Sequence, residues 1–439
     1  NTPKTSGPPI HVRVPPDWPN PDKLDLSRYH LEIMKWIYGF GESMHEWTSL
    51  FFAIFTKKLK MTKFTKDWAM FRKNTETESK DHNGLPKSLL GIAGTHVDDI
   101  TWAGEKSFVN EMISKMSNEV ELQAVPWVEG EMQMVGWTIR RDRKERKVFI
   151  SQKSYIEKIA ANHAGIPTRI YHTPMDPLFC FNYNTKEPIL GVEEQEEYHS
   201  LVAELLHATQ TRLDIVTHVS ILSSYINRAQ KRHMEQAMRV LAYLVATKDF
   251  EQMLGPDKNG KLELKGYGDV SYAGEEYRKS RVGGTIFYGC SVLDTISKRH
   301  KETTPLSTCE GEVVAQSEVA KRLLYFQELI EEIKAPQTKP ANLYCDNQAA
   351  IALSTHNKIL QKSRHIEIRY LAWREWLEQE KLKMNWIPTK EMVADCFTKI
   401  LSRADFERFR LELGIVRFKK QGVLDSGEIG FLGSAENNG

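Results

Sequence analysis

The sequence predicts an α/β fold (α+β), in which a mixed sheet flanked by helices spans about residues 256–402. Apolar and polar residues alternate through 262–264 before a glycine-rich turn, which indicates a strand. Apolar residues from Val313 to Leu324 lie at helical spacing. The apolar strand Ala341 to Cys345 and the helix Gln348 to Ser354 follow. Strands and helices that alternate in this way are typical of a sheet covered by helices.

Length, charge and cysteine content narrow the class of protein. A chain of 439 residues can bury sizeable cores and should divide into two or three domains. Its 60 Lys and Arg residues nearly balance 58 Asp and Glu residues, so net charge alone does not indicate a nucleic-acid partner. The 5 scattered cysteines lack metal-site spacing, which predicts free thiols in an intracellular, reducing compartment: the cytoplasm, the nucleus or an organelle matrix. The sequence contains no apolar run long enough to span a membrane.

Four acidic residues are candidate metal ligands: Asp269, Glu312, Asp346 and Asp395. Asp269 is expected at or near a strand end, and Glu312 in the first turn of a helix, facing the sheet. Asp346 follows a strand and precedes a helix, a junction where open α/β sheets bind their ligands. Asp395 is expected in a late helix, after the strand Lys383 to Ile387.

This number of carboxylates suits one kind of chemistry. Two hard cations held roughly 3.5–4 Å apart by oxygen ligands can activate a water and stabilise the leaving oxygen of a phosphodiester. A solvated surface carboxylate is the commoner explanation of any one acidic residue. The prediction of a two-metal nuclease therefore depends on the ordered set of four.

Five motifs in order resemble the ribonuclease H domain of copia-type long-terminal-repeat retrotransposon polyproteins. Family patterns such as GYSDADWAG, SSTEAEY, YCDNQSAI, KHIDIRYHFVRE and LADILTKPL stand here as GYGDVSYAG, LSTCEGEVV, YCDNQAAI, RHIEIRYLAWRE and VADCFTKIL. The resemblance implies cleavage of the RNA strand of RNA/DNA hybrids at Asp269, Glu312, Asp346 and Asp395. The implied cofactor is Mg²⁺, two ions per site, with Mn²⁺ as an alternative.

Two further residues are secondary candidates for this nuclease site. Glu310 competes with Glu312, which is preferred because EVVAQ better matches the run after the nuclease glutamate in ribonucleases H. His365, in SRHIEIRY, is a candidate nuclease histidine, although a histidine that holds a loop by hydrogen bonds is the more frequent case.

The N-terminal region resembles the middle of the reverse-transcriptase palm of the same family. PPDW and IYGFGESMHEW precede a predicted helix from about Ser43 to Leu59. Asp98 and Asp99 lie between two apolar strands, as in a polymerase metal site, and His96 replaces the family's Tyr. In the family a third carboxylate lies on an earlier strand, whereas the fourteen residues before Pro15 contain no acid. The resemblance therefore implies that this chain alone does not polymerise DNA.

A basic turn is a candidate contact for nucleic-acid phosphates. MQMVGWTIRRDRKERKVFI predicts a strand, a turn and a second strand, and positive charge concentrates in the turn. Intervening acidic residues dilute this charge, and a solvated charged face is the commoner outcome. The basic residues are Arg140, Arg141, Arg143, Lys144, Arg146 and Lys147.

The motifs divide the chain into four predicted segments. These are a partial reverse-transcriptase palm without fingers or first catalytic strand (1–165), a helical thumb and connection (166–255), a ribonuclease H-like domain (256–402), and a C-terminal helix with a flexible tail (403–439).

Three hypotheses about function follow. The first is a metal-dependent nuclease whose partner is an RNA/DNA hybrid or other nucleic acid. The second is one half of a split reverse transcriptase, with another polypeptide supplying the missing aspartate. The third is a domesticated, transposon-derived scaffold that binds other protein chains in a larger assembly without catalysis.

Overall fold

The computed structural model describes most of the chain, which divides into two compact units. The described residues are 11–14, 30–32, 41–74, 89–97, 99–123, 125, 127–128, 130–179, 186–272, 279–300, 307–335, 337, 339–355 and 373–418. Unit 1 comprises Asn1–Gln123 and Glu332–Ala335, and unit 2 comprises Ala124–Glu331 and Pro336–Gly439. Helices and mixed sheets confirm the predicted α/β (α+β) class. None of the described helices has the length and apolar character needed to cross a membrane.

Unit 1 is built on a four-stranded antiparallel sheet in the order β3-β4-β5-β6, and β1 and β2 form a separate antiparallel pair. Aromatic rings fill its core, where Phe55 stacks on Phe71 with ring centroids 4.3 Å apart. The predicted helix from about Ser43 to Leu59 is present as α1 and a π-helical continuation, Ile54–Lys58. The elements are β1 His11–Arg13, β2 His30–Glu32, α1 Gly41–Ala53, β3 Thr62–Lys63, β4 Met70–Asn74, β5 Leu89–His96, β6 Asp99–Gly104 and α2 Lys106–Ser117.

The predicted acidic hairpin connects β5 and β6. His96 pairs with Asp99 across the turn, and Val97 adopts a left-handed backbone conformation with φ 55°. Asp99 is exposed, and Asp98 lies outside the described residues. A metal site at this tip stays a prediction.

Unit 2 contains two five-stranded sheets and several helices. Its strands are β7 Glu131–Met134, β8 Trp137–Asp142, β9 Lys147–Ser151, β10 Phe250–Leu254, β11 Leu264–Ser271, β12 Arg281–Tyr288, β13 Ser291–Arg299, β14 Ala341–Cys345, β15 Leu382–Trp386 and β16 Ile415–Arg417. Its helices are α3 Lys153–Asn162, α4 Val192–Ala208, α5 Val216–Ser223, α6 Lys231–Ala246, α7 Thr308–Glu332, α8 Gln348–Thr355, α9 Arg374–Glu378 and α10 Arg403–Glu412.

The first sheet of unit 2 is antiparallel throughout, in the order β16-β10-β9-β8-β7. Its edge strand β16 follows the C-terminal helix α10. The sequence pattern did not predict this strand. The sheet joins strands from three of the predicted segments, because β10 pairs with both β9 and β16.

The second sheet is mixed, in the order β13-β12-β11-β14-β15. Strands β11, β12 and β13 are antiparallel neighbours, whereas β14 runs parallel to β11, and β15 runs parallel to β14. Both strands that meet at the β11–β14 pair are largely buried, so the register between them is strongly specified.

Helices α4, α5 and α6 share an apolar core and enclose an ion pair. The Arg212 Nη2 atom donates to Asp214 Oδ2 at 2.7 Å, and the Tyr243 hydroxyl donates to the same oxygen at 2.6 Å. Burial alone would raise the pKa of Asp214, but the Arg212 guanidinium and these hydrogen bonds hold that pKa below its usual value. The carboxylate is therefore charged and fully paired.

The buried His218 of α5 makes the stability of unit 2 sensitive to acid. Burial lowers the pKa of His218 to about 4, and Nδ1 finds no hydrogen-bond partner among the described residues. The unfolded chain, with an ordinary histidine pKa of about 6.5, binds the proton first as the pH falls. The contribution of neutral His218 to the free energy of unfolding is therefore fully present above about pH 6.5, and it is lost as the pH falls towards about 4.

We expect His218→Leu to make the free energy of unfolding less dependent on pH. Between about pH 7 and about pH 5, the wild-type chain should lose about 2 kcal/mol more than the variant, because only the wild type must keep a neutral histidine. Urea denaturation at both pH values measures this difference. The exposed His199→Leu serves as the control, and an equal loss in wild type and His218→Leu would contradict the prediction.

Candidate metal centre

Asp269 and Asp346 lie at neighbouring strand ends of the mixed sheet. Strand β11 pairs in parallel with β14, with Tyr267 opposite Tyr344. Asp269 and Asp346 each lie two residues beyond this pair, at the same end of the two parallel strands. Asn347 Oδ1 accepts from the backbone N–H of Ala350 and caps α8 directly after Asp346.

Helix α7 brings Glu312 to the same end of these strands. The Gln316 Nε2 atom donates to the backbone oxygen of Gly268 at 2.8 Å, which ties the helix to β11 one residue before Asp269. A Cβ atom at Gly311 would lie 3.0 Å from a methyl group of Val270, so the helix approaches closely because that side chain is absent. The helix begins at Thr308, so Glu312 lies one turn inside it rather than in its first turn.

Glu312, Cys345 and Asp346 form a group whose ligand atoms all lie within 4.8 Å of one another. The Glu312 side chain is buried, and its Oε2 atom has no hydrogen-bond partner within the described ranges. A buried carboxylate oxygen without a donor is costly unless a cation satisfies it. Glu310 is also buried but is not one of this group, so the geometry favours Glu312 of the two.

Asp395 reaches the centre from a short turn instead of the predicted helix. The turn is 3₁₀-helical, Val393–Phe397, and lies against the middle of the mixed sheet. A Cβ atom at Gly283 of β12 would stand 2.4 Å from Thr398 Cγ2, so this strand must carry a glycine where the turn packs. The close packing holds Asp395 beside the sheet without a long helix.

Lys399 and Thr398 connect Asp395 to Asp269. The Lys399 Nζ atom donates to Asp395 Oδ1 at 2.7 Å and lies 3.6 Å from Asp269 Oδ2. The Thr398 hydroxyl donates to Asp269 Oδ2 at 2.5 Å. Sequence reasoning missed both residues, although Thr-Lys stands in the quoted motif and the spacing of Asp395 and Lys399 is that of a helical ion pair.

The acids of the centre perturb one another. Burial raises the pKa of Glu312 to about 9, with further contributions from the negative charges of Asp269 and Asp346. Burial and the charge of Asp269 raise the pKa of Asp395 to about 7. Burial would lower the pKa of Lys399, but the charges of Asp269 and Asp395 raise it overall. Crowded carboxylates with an unpartnered oxygen fit a hard divalent cation.

Trp386 stands at the rim of the centre and was not singled out in the sequence. Its indole N–H donates to the backbone oxygen of Asp346 at 3.1 Å, while 53% of the residue is exposed. The hydrogen bond fixes the polar edge of the ring, so an aromatic surface faces solvent beside a candidate ligand.

The basic turn between β8 and β9 only partly offers its charges to solvent. Arg140 donates to Glu251 at 2.7 Å and lies over the Phe149 ring, and Lys147 donates to the backbone oxygen of Pro256. Phosphate contact by Arg140 and Lys147 stays a prediction, although both side chains have partners within the protein. Phosphate contact stays a prediction for the exposed Arg141, Arg143, Lys144 and Arg146.

The secondary candidate His365 and the segment around it lie outside the described residues.

We expect Glu312→Gln, and not Glu310→Gln, to abolish the thermal response to a divalent cation. Ligand binding to the folded state raises the melting temperature, and only Glu312 lies with Asp346 in the ligand group. Thermal melts with Mn²⁺ and with EDTA measure the shift. A shift that survives in Glu312→Gln and vanishes in Glu310→Gln would reverse the assignment.

Relatives of the chain include transposon polyproteins and a mitochondrial protein. No protein-family profile matches it. It is 28% identical over 384 residues to the retrovirus-related Pol polyprotein from transposon TNT 1-94 of Nicotiana tabacum, covering 86% of this chain and 27% of that polyprotein. It is 28% identical over 282 residues to the retrovirus-related Pol polyprotein from transposon RE1 of Arabidopsis thaliana, and the match covers 64% of this chain and 19% of that polyprotein. An uncharacterized mitochondrial protein of Arabidopsis thaliana is 26% identical over 232 residues, and the match covers 52% of this chain and 92% of that protein. The chain thus spans about a quarter or less of the two polyproteins.

Two solved structures show weak similarity. The N-terminal ribonuclease H domain of a Mycobacterium tuberculosis protein gives a TM-score of 0.24 at 9% identity, covering 34% of this chain and 98% of that chain. The native Prototype Foamy Virus protease-reverse transcriptase gives a TM-score of 0.22 at 11% sequence identity, and the match covers 84% of this chain and 41% of that chain. Scores this low establish no common fold by themselves. The sequence relatives confirm the copia-type resemblance: this chain is a homologue of the retrovirus-related Pol polyproteins of plant transposons.

Proposed function

We propose that this chain is a metal-dependent nuclease that cleaves the RNA strand of RNA/DNA hybrids. The observation that carries the proposal is the unpartnered, buried Oε2 atom of Glu312, which lies with Asp346 in a group of ligand atoms. Asp269 lies on β11, which pairs with β14, and Asp346 follows directly after β14. Asp395 is connected to Asp269 through Lys399. The proposed cofactor is Mg²⁺, two ions per site, with Mn²⁺ as an alternative.

The four acids approach the proposed metal site from different elements of the fold. Asp269 and Asp346 present oxygens from adjacent strands, and Glu312 adds a carboxylate from helix α7. Asp395 completes the set from a turn. When bound, two divalent cations would lower the pKa of a water and stabilise the leaving oxygen. The four carboxylates would hold these cations beside the bound phosphodiester, where the cations would supply positive charge to the reacting oxygens.

Trp386 and the basic turn are the proposed contacts with the nucleic acid. The exposed indole ring of Trp386, fixed at its N–H edge, offers a surface on which a base or sugar can pack. Arg141, Arg143, Lys144 and Arg146 offer charge to phosphates without reading sequence. A hybrid would thus be held by shape and charge.

We also propose a reducing compartment inside the cell as the working environment. The cysteines that the structure describes, Cys290, Cys309, Cys345 and Cys396, are all free. Free thiols persist where the cell keeps glutathione reduced.

A second candidate function is a scaffold without catalysis, and Lys399 is the observation that favours it. Its ammonium partly neutralises Asp269 and Asp395, so these carboxylates have a partner within the protein. A scaffold needs no metal and would bind other protein chains. The split reverse transcriptase draws support only from the hairpin that carries Asp99.

Asp346→Asn separates nuclease from scaffold. The substitution keeps the shape of the side chain and removes the charge that would hold a cation, so Mg²⁺-dependent cleavage of a labelled RNA/DNA hybrid should fall by about 100-fold or more. The variant should keep its fold, since neutralising one of several crowded carboxylates relieves repulsion.

Asp249→Asn, at a surface acid that pairs with Lys153, is the matched control and should cleave like wild type. If the wild-type chain neither cleaves the hybrid nor gains thermal stability with Mg²⁺, the scaffold replaces the nuclease as the proposed function.

A further inference from the structure

The ammonium group of Lys399 occupies the position of a cation between two candidate ligands. It donates to Asp395 Oδ1 at 2.7 Å and lies 3.6 Å from Asp269 Oδ2. Both acidic side chains are nearly enclosed, 14% and 4% exposed, whereas the Lys399 side chain is 41% exposed. The ammonium group thus lies near both carboxylates, while part of the lysine side chain stays open to solvent.

We propose that Lys399 is an internal counter-cation that competes with a divalent metal ion for Asp395 and Asp269, and that a nucleic-acid phosphate takes its ammonium when the metal binds. This inference rests on the proposed nuclease function. Lys399 would thereby couple metal binding to substrate binding.

Competition follows from charge and distance. A divalent cation binds carboxylate oxygen at about 2.0–2.1 Å when it is Mg²⁺, so it needs the oxygens that Lys399 contacts. An ammonium group and a divalent ion held by the same carboxylates repel each other strongly, because the protein interior screens charge less than water does. The ammonium and the metal ion therefore exclude each other at these carboxylates.

The lysine also stabilises the centre in the absence of metal. Asp269 and Asp395 lie near each other, because one ammonium group lies 3.6 Å from an oxygen of Asp269 and 2.7 Å from an oxygen of Asp395. A positive charge between two carboxylates offsets their repulsion. Removing the lysine charge should therefore weaken the metal-free fold and strengthen metal binding, two effects of opposite sign.

The displaced ammonium needs an anionic partner, and the substrate provides one. Lysine has a flexible four-carbon stem and three donors, so its charge can move several ångströms without a change in the backbone. A phosphodiester at the centre offers oxygen atoms to the displaced group. Phosphate binding then lowers the cost of metal binding, and by linkage the metal strengthens phosphate binding.

Lys399→Met tests the competition, because methionine keeps much of the length and removes the charge. Calorimetric titration with Mn²⁺ should give a dissociation constant about 5-fold or more lower than that of wild type, the lower end of typical coupling between sites. In EDTA the variant should melt at a lower temperature than wild type. Lys399→Arg should resemble wild type in both measurements.

Lys321→Met is the matched control. Lys321 pairs with Glu318 on the exposed side of α7, so its substitution should change neither Mn²⁺ affinity nor the response to EDTA. Mn²⁺ affinity in Lys399→Met that is equal to or weaker than that of wild type overturns the inference and leaves the proposed nuclease standing. If neither chain binds Mn²⁺, the nuclease and the inference both fail.

Release of the ammonium onto phosphate is tested with an uncleaved analogue, a hybrid whose RNA strand carries 2′-O-methyl groups. This analogue should tighten Mn²⁺ binding to wild type until it approaches that of Lys399→Met, and should change the variant little. An equal increase in both chains would show that phosphate acts without Lys399, and would overturn that part of the proposal.

Discussion

The close approach of α7 to the mixed sheet is the constraint on which the candidate centre depends. A Cβ atom at Gly284 would lie 2.4 Å from Val319 Cγ2, and one at Gly266 would lie 2.8 Å from Val319 Cγ1. With glycine at both positions, the helix lies directly on β11 and β12, and Gln316 reaches the backbone of β11. Any larger residue would lift the helix and carry Glu312 away from Asp346. The candidate centre therefore also depends on glycines that have no functional side chain of their own.

Two buried acidic groups in unit 2 show opposite solutions to the same problem. Asp214 is completely enclosed, yet Arg212 and Tyr243 donate to it, so its charge is matched within the protein. Glu312 is similarly buried, but one of its oxygens has no donor in the described part of the chain. A buried ion pair with full hydrogen bonding needs nothing from outside. Asp214 is thus satisfied within the protein, whereas Glu312 keeps an open acceptor beside Asp346.

Local patterns predicted the elements well, because each depends on residues close in sequence. The apolar run Ala341–Cys345 is β14 with the same bounds, and the acidic ends of strands lie where a parallel pair can bring them together. Non-local features were beyond such reasoning. The three-residue strand Ile415–Arg417 becomes a strand only because β10 offers an edge, and Asp395 sits in a turn that packing against Gly283 holds in place. Lys399 was overlooked because its partner Asp269 is remote in sequence.

Cys345 gives the centre a problem of metal selectivity. Its sulfur lies among the ligand atoms of Glu312 and Asp346, and a thiolate there would attract soft cations such as Zn²⁺ in preference to Mg²⁺. Burial, followed by the negative charge of Glu312, raises the pKa of the Cys345 thiol. The thiol therefore keeps its proton at neutral pH in the metal-free centre. A soft cation would have to displace this proton before the sulfur could bind it.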